Sequence, residues 1–270
     1  MGNIAETYSG LFGLTEIVKN ELSKDENFGA LMPIEGIEKG LLKLEKESDG
    51  MRAISITEVL KSKCGRLAYV VLADNGIKGA MRITPGTLYA HPALGVPPFS
   101  FDCNEKQDFS LFFITDVNPL SQDETYLDKF VMSYFDAYHK KHSEILKKNS
   151  LEREPESWFE EIRSPVCLNY KWMYNEALDI DSVKKNVNIT TIDYLTAWIK
   201  MVKEAKTIGD ENVLQKLISK GDENMEKFRK NDMGFKVLRH YYGIVVAENY
   251  MKMLFPNLSH IKEISGELKL

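Results

Sequence analysis

The sequence has little of what marks disulfide-bonded, metal-binding and membrane proteins. It has three cysteines among 270 residues, and Cys64, Cys103 and Cys167 stand far apart. An odd number without a close pair argues against a disulfide framework and against a zinc or iron–sulfur site, which needs about four clustered ligands. No apolar run approaches the ~20 residues that cross a bilayer, and the first residues form no signal segment. We therefore expect no bound metal and no membrane association.

Charge and motif content exclude further classes. The formal net charge is −5, so nothing indicates nucleic-acid binding. The phosphate-binding loops GxGxxG and GxxxxGK[ST], the zinc motif HExxH and the nucleophile elbow GxSxG are all absent. His139 and His142 share one helix face, but no carboxylate partner is evident, and a solvated surface is the simpler interpretation. The residues alone predict a soluble intracellular protein.

The hydrophobic pattern changes along the chain from helix to strand and back to helix. Residues 4–22 have helical spacing, and short strands follow to about residue 117. We predict a strand at 67–73, a hairpin turn at Asp74-Asn75-Gly76 and a central strand at 109–117. A strand at 166–174 and four helices complete the pattern, the helices at 125–148, 190–206, 212–230 and 234–254. This order predicts a mainly antiparallel sheet between helical layers, in one domain over residues 1–270.

Two segments resemble the ferredoxin-dependent bilin reductases. In the first, residues 95–102 (GVPPFSFD) precede a strand that ends in residues 115–119 (TDVNP). The family pattern is similar: apolar-Pro-x-Phe-Gly-x-Asp, then a strand ending Asp-x-x-Pro. In the second, residues 230–255, which contain Asp232 and the stretch AENYM, are similar to the C-terminal helix of the family. Residues 155–168 add weaker support, so the likeness covers most of the chain.

The resemblance implies a fold, a substrate and an electron donor. The fold is a three-layer α/β/α sandwich with a central, mainly antiparallel sheet, in agreement with the pattern above. The substrate is an open-chain tetrapyrrole, biliverdin IXα or a dihydrobiliverdin, held between the sheet and the C-terminal helices. Reduced ferredoxin delivers electrons singly, with no bound metal or flavin, and acidic residues protonate the bilin radicals. We expect a monomer, located in the cytoplasm or, where a transit peptide has been removed, in a plastid.

The same resemblance implies two catalytic carboxyl groups, those of Asp102 and Asp232. A conjugated tetrapyrrole becomes more basic when it gains an electron, so a buried, protonated aspartic acid beside it can give up a proton. Asp102 has Phe99 and Phe101 near it in the sequence, and Asp232 stands where a helix begins. Without the resemblance, Asp102 is a turn residue and Asp232 a helix N-cap, and Asp116 suits a turn.

A bilin and a ferredoxin would each need basic residues. The two propionates of a bilin require arginine or lysine near the pocket. The candidate substrate-binding residues are Arg82, Phe101, Arg163, Lys236 and Arg239. Ferredoxins are acidic, so the docking patch should be basic. The lysine pairs at 140–141, 147–148 and 184–185 are available for it.

Two positions depart from the family pattern. Many members carry His or Asn seventeen residues before the central Asp, where this chain has Pro85. Members that reduce the D-ring exovinyl group carry Glu twelve residues further upstream, where this chain has Ala73. Both departures argue against an exovinyl reduction. Three alternatives stay open: an enzyme like red chlorophyll catabolite reductase, a bilin-binding protein without turnover, and a scaffold without a ligand.

Overall fold

Among the residues that it describes, the computed structural model places nine strands in a single sheet, and every pairing between them is antiparallel. The strand order is β1-β3-β4-β5-β6-β7-β9-β8, and β2 lies beside β1 on the same edge of β3. The residues that the structure describes are 11–25, 28, 31–33, 41–48, 51–62, 65–77, 80–106, 110–148, 150–152, 155–173, 175, 177–265 and 268.

The strands and helices alternate in blocks along the chain. The strands are β1 (Leu31–Pro33), β2 (Leu41–Ser48), β3 (Met51–Ser62), β4 (Leu67–Ile77), β5 (Met81–Ala90), β6 (Phe99–Lys106), β7 (Ser110–Val117), β8 (Leu151–Glu152) and β9 (Leu168–Met173). The helices are α1 (Leu14–Ser23), α2 (Glu124–Leu127), α3 (Ser133–Leu146), α4 (Ser157–Glu160), α5 (Ile180–Glu204), α6 (Glu211–Asn231), α7 (Met233–Tyr242), α8 (Ile244–Leu254) and α9 (Leu258–Ser265). A π-helical turn at Asp128–Met132 joins α2 to α3.

One face of the sheet carries a buried apolar cluster at β6. Side chains of consecutive strand residues alternate between the two faces, and Phe99, Phe101 and Cys103 of β6 are all buried on the same face. The Phe99 ring lies 6.3 Å from the ring of Trp198 in α5. Helix α1 also packs on this side, where the Thr15 hydroxyl approaches β4. We call this side of the sheet the α5 face.

The opposite side, which we call the Asp102 face, is covered by the C-terminal helices. The strand register places Tyr69 and Tyr89 on the same face as Asp102. The Tyr89 hydroxyl donates to Met225 Sδ in α6 at 3.2 Å, and the Tyr69 hydroxyl donates to the Met253 carbonyl in α8 at 3.0 Å. Helices therefore cover both faces, which confirms the predicted α/β/α architecture with an antiparallel sheet.

The hairpin turn predicted at residues 74–76 is wrong, because these residues lie inside β4, which continues to Ile77. Asp74 favours a turn when its carboxylate has no other partner. Here its Oδ1 accepts from the Thr84 hydroxyl at 3.1 Å, and its Oδ2 accepts from the Thr15 hydroxyl at 3.4 Å. Contacts with a neighbouring strand and with α1 thus keep Asp74 in the sheet.

Helix boundaries also differ from the prediction. The helix predicted at 234–254 is divided into α7 and α8 by Gly243, whose φ of 85° lies in the left-handed region that glycine tolerates. Helix α5 begins at Ile180, ten residues before the predicted start, because the Asp179 carboxylate caps it by accepting from the Ser182 N–H at 3.1 Å. Residues 4–10, Phe109 and Tyr174 lie outside the described residues.

Candidate active site

Asp102 lies within a row of side chains that crosses the Asp102 face from β3 to β9. Each member stands opposite the next on the neighbouring strand, about 5 Å away. The row consists, in order, of Thr57, Ala73, Pro85, Asp102, Ile114 and Asn169. The neighbours of Asp102 in the row are therefore the apolar side chains of Pro85 and Ile114. A flat apolar ligand can lie on such a surface with one carboxyl group at its centre.

Three polar side chains follow one another along β6 on this face. Asp102 is half-buried, and Ser100 and Asn104 stand on either side of it along the strand. The Asn104 amide Nδ2 donates to Asp102 Oδ2 at 3.4 Å, and Asn118 Nδ2 donates to the Ser100 hydroxyl at 3.0 Å. Because an amide nitrogen only donates, Oδ2 is held as an acceptor. In the neutral acid the transferable proton is then carried by Oδ1.

Asp232 lies at the junction of α6 and α7, in the helical layer that covers the Asp102 face. Its Oδ1 accepts from the Gly234 N–H at 2.6 Å, so the residue is an N-cap of α7. Glycine fits at 234 because a Cβ there would lie 2.8 Å from that oxygen. Burial, and to a smaller extent the charge of Glu156, raise the pKa of Asp232 to about 6, although the Gly234 N–H lowers it. This carboxyl group can therefore hold a proton near pH 6.

The structure does not bring Arg82 or Phe101 together with Asp102. Phe101 precedes Asp102 in β6 and is buried on the α5 face, where a Cβ on Gly86 would lie 2.3 Å from its ring. Arg82 is three residues from Pro85 in β5, so it also points to the α5 face. The strand period of two accounts for both placements.

The other predicted cations lie away from the row. Arg163 follows α4, and its Nη2 donates to Glu160 Oε1 at 2.5 Å. Lys236 and Arg239 are exposed on α7, whereas Leu238 of the same helix is buried towards the sheet. The roles of Arg163, Lys236 and Arg239 in substrate binding stay predictions.

Asp116 is a second carboxyl group on this face, and it accepts hydrogen bonds from two backbone N–H groups and from the Ser164 hydroxyl. It is fully buried, Oδ1 accepts from the Val117 N–H at 2.8 Å, and Oδ2 accepts from the Ser164 N–H at 3.1 Å. The Ser164 hydroxyl also donates to Oδ1. Burial raises the pKa of Asp116 to about 7, against the lowering effect of these hydrogen bonds. Asp116 thus anchors the segment after α4 to the end of β7.

A chain of hydrogen bonds beside the row was not predicted from the sequence. The Thr57 hydroxyl donates to the Tyr250 hydroxyl at 3.1 Å, which donates to Asn75 Oδ1 at 3.2 Å. The Ser55 hydroxyl lies 3.4 Å from that of Thr57. The alternation of Ser55 and Thr57 with apolar residues indicates that both hydroxyl groups lie on one face of a strand. Nothing in the sequence indicates that these strand residues contact Tyr250 of α8.

The described residues were also compared with the patterns of metal sites and membrane-spanning helices. Among them no group of three or more His, Cys, Asp or Glu side chains could hold a metal ion. No helix in the described part of the chain is both long enough and apolar enough to cross a membrane.

Comparison with known proteins identifies a family and a fold. The family model described as ferredoxin-dependent bilin reductase matches residues 26–256. No curated protein matches the chain. Among solved structures, the chain is similar to a crystal structure of SeMet-phytochromobilin synthase from tomato in complex with biliverdin, with a TM-score of 0.72 and 14% identity. That likeness covers 92% of this chain and 84% of the tomato chain, and it establishes a shared fold.

Proposed function

The chain belongs to the ferredoxin-dependent bilin reductase family and is an oxidoreductase that acts on a bilin; on that premise we propose its substrate, its electron donor and its proton donors. The substrate is biliverdin IXα or a dihydrobiliverdin, bound between the Asp102 face and helices α6–α8. The electrons come singly from reduced ferredoxin. Asp102 and Asp232 supply protons to the reduced bilin.

The observation that carries this proposal is the position of Asp102. It stands between the apolar side chains of Pro85 and Ile114, on the sheet face that the C-terminal helices cover. Ligand sites combine apolar walls with a few placed polar groups, and this row has that composition. The tomato enzyme of the same fold was crystallised with biliverdin, which supports a bilin as the occupant here.

The chemistry requires a proton for each electron. Reducing one double bond consumes two electrons and two protons, so two ferredoxin molecules each give one electron. The first electron makes the bilin more basic, and the Asp102 carboxyl group then transfers its proton to the bilin. Asn104 holds Asp102 Oδ2 as an acceptor, which directs Oδ1 towards proton donation. A positioned donor of this kind accelerates proton transfer by about 10²–10⁴-fold.

Asp232 supplies the other proton from the helical side. Its raised pKa of about 6, caused mainly by burial, leaves a useful fraction of the acid protonated near neutral pH. Because Asp102 belongs to the sheet and Asp232 to the helices, the two acids can serve different positions of the bilin. Replacing them should therefore leave different partly reduced products.

The experiment combines pigment binding with a test of the electron donor. Biliverdin is added to the protein and the visible spectrum recorded, then reduced ferredoxin is added without oxygen and the product identified. We expect a changed absorption band, turnover with ferredoxin and none with NADPH alone. Turnover should weaken as salt rises from low ionic strength to ~0.15 M, because docking between charged surfaces is screened.

Each contrary result removes a different part of the proposal. An unchanged spectrum at stoichiometric pigment would remove the bilin as ligand, and turnover with NADPH alone would remove ferredoxin as the required donor. Stable binding without any product would favour a bilin-binding protein without turnover. Pro85 and Ala73 favour that alternative, because neither side chain can donate or accept a proton.

A further inference from the structure

A narrow cavity of about 30 Å³ lies between α7 and the part of the Asp102 face formed by β3–β5. That volume holds about one water-sized group, which is too small for a pyrrole ring but enough for a single ring substituent. Strand β4 is two strands away from β6, so the cavity lies about 10 Å across the sheet from Asp102. A tetrapyrrole with one ring at Asp102 is long enough to reach it.

One residue that lines this cavity has a buried hydroxyl group without a partner among the described residues. The Tyr242 hydroxyl, at the last residue of α7, is buried and makes no hydrogen bond to any residue that the structure describes. The neighbouring Tyr250 hydroxyl has two partners, Thr57 and Asn75. A buried polar group without a partner costs about 1–3 kcal/mol, so this hydroxyl would gain free energy from a ligand group that pairs with it.

We propose that Tyr242 donates a hydrogen bond to a lactam carbonyl of a terminal bilin ring, and that the cavity is the subsite for that carbonyl. The proposal rests on the proposed function, since it assigns one contact within the same bilin site. The carbonyl oxygen enters the cavity, while the ring itself lies on the sheet face beside Ile83. Ile83 supplies an apolar surface between the cavity and the row that contains Asp102.

The lining of the cavity favours a neutral acceptor over a propionate carboxylate. Its polar lining residues are Ser55, Asn75, Tyr241 and Tyr242, and no described residue that lines it is charged. A carboxylate buried there would have no cation to pair with, which is costly. A lactam carbonyl is neutral and needs one donor. Burial raises the pKa of Tyr242 to about 12, so its hydroxyl keeps the proton and remains a donor.

The test is Tyr242→Phe, which removes only the unpaired hydroxyl. Because that hydroxyl has no hydrogen-bond partner among the described residues, the thermal midpoint should stay within about 2 °C of the wild type. Biliverdin should bind about five- to tenfold more weakly, as expected for one lost hydrogen bond. The matched control is Tyr134→Phe on α3, whose hydroxyl donates to Glu204 Oε2 at 2.9 Å on the other side of the sheet. That variant should bind biliverdin like the wild type.

A second pigment separates the carbonyl from the propionates. Biliverdin dimethyl ester has the same lactam carbonyls but no carboxylates, so Tyr242→Phe should weaken its binding by the same factor. Equal affinities of Tyr242→Phe and wild type for biliverdin would overturn the proposal. An effect seen with biliverdin but lost with the ester would overturn the lactam assignment. Failure of the wild type to bind either pigment would instead remove the proposed function, so the two failures are distinguishable.

Discussion

The two faces of the sheet are built from the same strands but differ in what they offer. On the α5 face, Phe99, Phe101 and Cys103 of β6 are buried, and the Phe99 ring packs near Trp198 of α5. On the other face, the alternate residues of the same strand include Asp102 and Asn104, joined by a hydrogen bond. We therefore expect the α5 face to contribute mainly to stability and the Asp102 face to carry the proposed chemistry.

Residues that are neighbours in the sequence of β6 therefore lie in different surroundings. Asp102 lies between Phe101 and Cys103, yet both of these point away from it. Substitutions one residue apart should therefore affect different properties: one should lower turnover, and the other should lower the free energy of unfolding.

The largest effect is expected from Asp102→Asn, which keeps the shape of the side chain but removes its transferable proton. Turnover of biliverdin should fall about 10²–10⁴-fold, while biliverdin still binds. The matched control is Asp74→Asn, because Asp74 is also a half-buried carboxyl group but lies on the α5 face, where burial raises its pKa to about 6. Kinetic assays of both variants should show the loss for Asp102 alone. Comparable losses for the two would contradict the separation of the faces.

The next effect is on stability, and it concerns Phe101→Ala. Removing a buried aromatic ring should cost about 3–5 kcal/mol of unfolding free energy in denaturant titrations. Ser100→Ala, the adjacent change on the Asp102 face, loses the hydrogen bond from Asn118 and should cost about 1 kcal/mol. Folded Phe101→Ala should keep its affinity for biliverdin, and a large loss of affinity would place Phe101 in the ligand site after all.

A third effect concerns the pH dependence of stability, through Asp116. Burial raises the pKa of Asp116 to about 7 in the folded protein, above its value of ~3.9 in an unfolded chain. The folded state then binds more protons than the unfolded state, so this group lowers stability as pH rises from ~4 to ~7, by up to about 4 kcal/mol.

Asp116→Asn should flatten that dependence in denaturant titrations across this range. The slope is the informative quantity, because the amide also loses the hydrogen bond that Ser164 N–H donates to the carboxylate. An unchanged slope would mean that Asp116 is ionised at low pH in the folded protein.

The smallest effect concerns the pH dependence of turnover, through Asp232. Its pKa of about 6 predicts that the step it serves slows by up to tenfold per pH unit above ~6, as the carboxyl group loses its proton. Asp232→Asn removes this limb of the pH profile and leaves a partly reduced bilin, while asparagine still caps α7. Product analysis and rates between pH 5.5 and 8 would check this. A variant with a wild-type profile would leave Asp232 with its capping role alone.

The layered fold could be predicted from the sequence because its signals are local, whereas Asp102 and Asp232 were implied by the resemblance to the bilin reductases and their catalytic roles stay predictions. The apolar run of β7 and the spacing of α6 each indicate one element, and the motif around Asp102 lies on consecutive residues. The predicted N-cap at Asp232 is likewise a local feature, and the hydrogen bond from Gly234 N–H confirms it.

What could not be predicted depends on contacts between distant residues. The polar residues 74–76 favour a turn until Thr84 and Thr15 bind Asp74. The faces of Arg82 and Phe101 depend on strand register, which a single sequence does not specify here. The pairing of Thr57 with Tyr250 joins residues 193 positions apart, and only the packing of α8 on β3 brings them together.

The central claim, that Asp102 protonates a bilin on its face of the sheet, is tested most directly by a single-electron reduction. Biliverdin bound to Asp102→Asn would be mixed with one equivalent of reduced ferredoxin without oxygen and followed by visible absorption and electron paramagnetic resonance. We expect the bilin radical to accumulate and persist, because the electron arrives and the proton does not. Decay of the radical to product at the wild-type rate would contradict it.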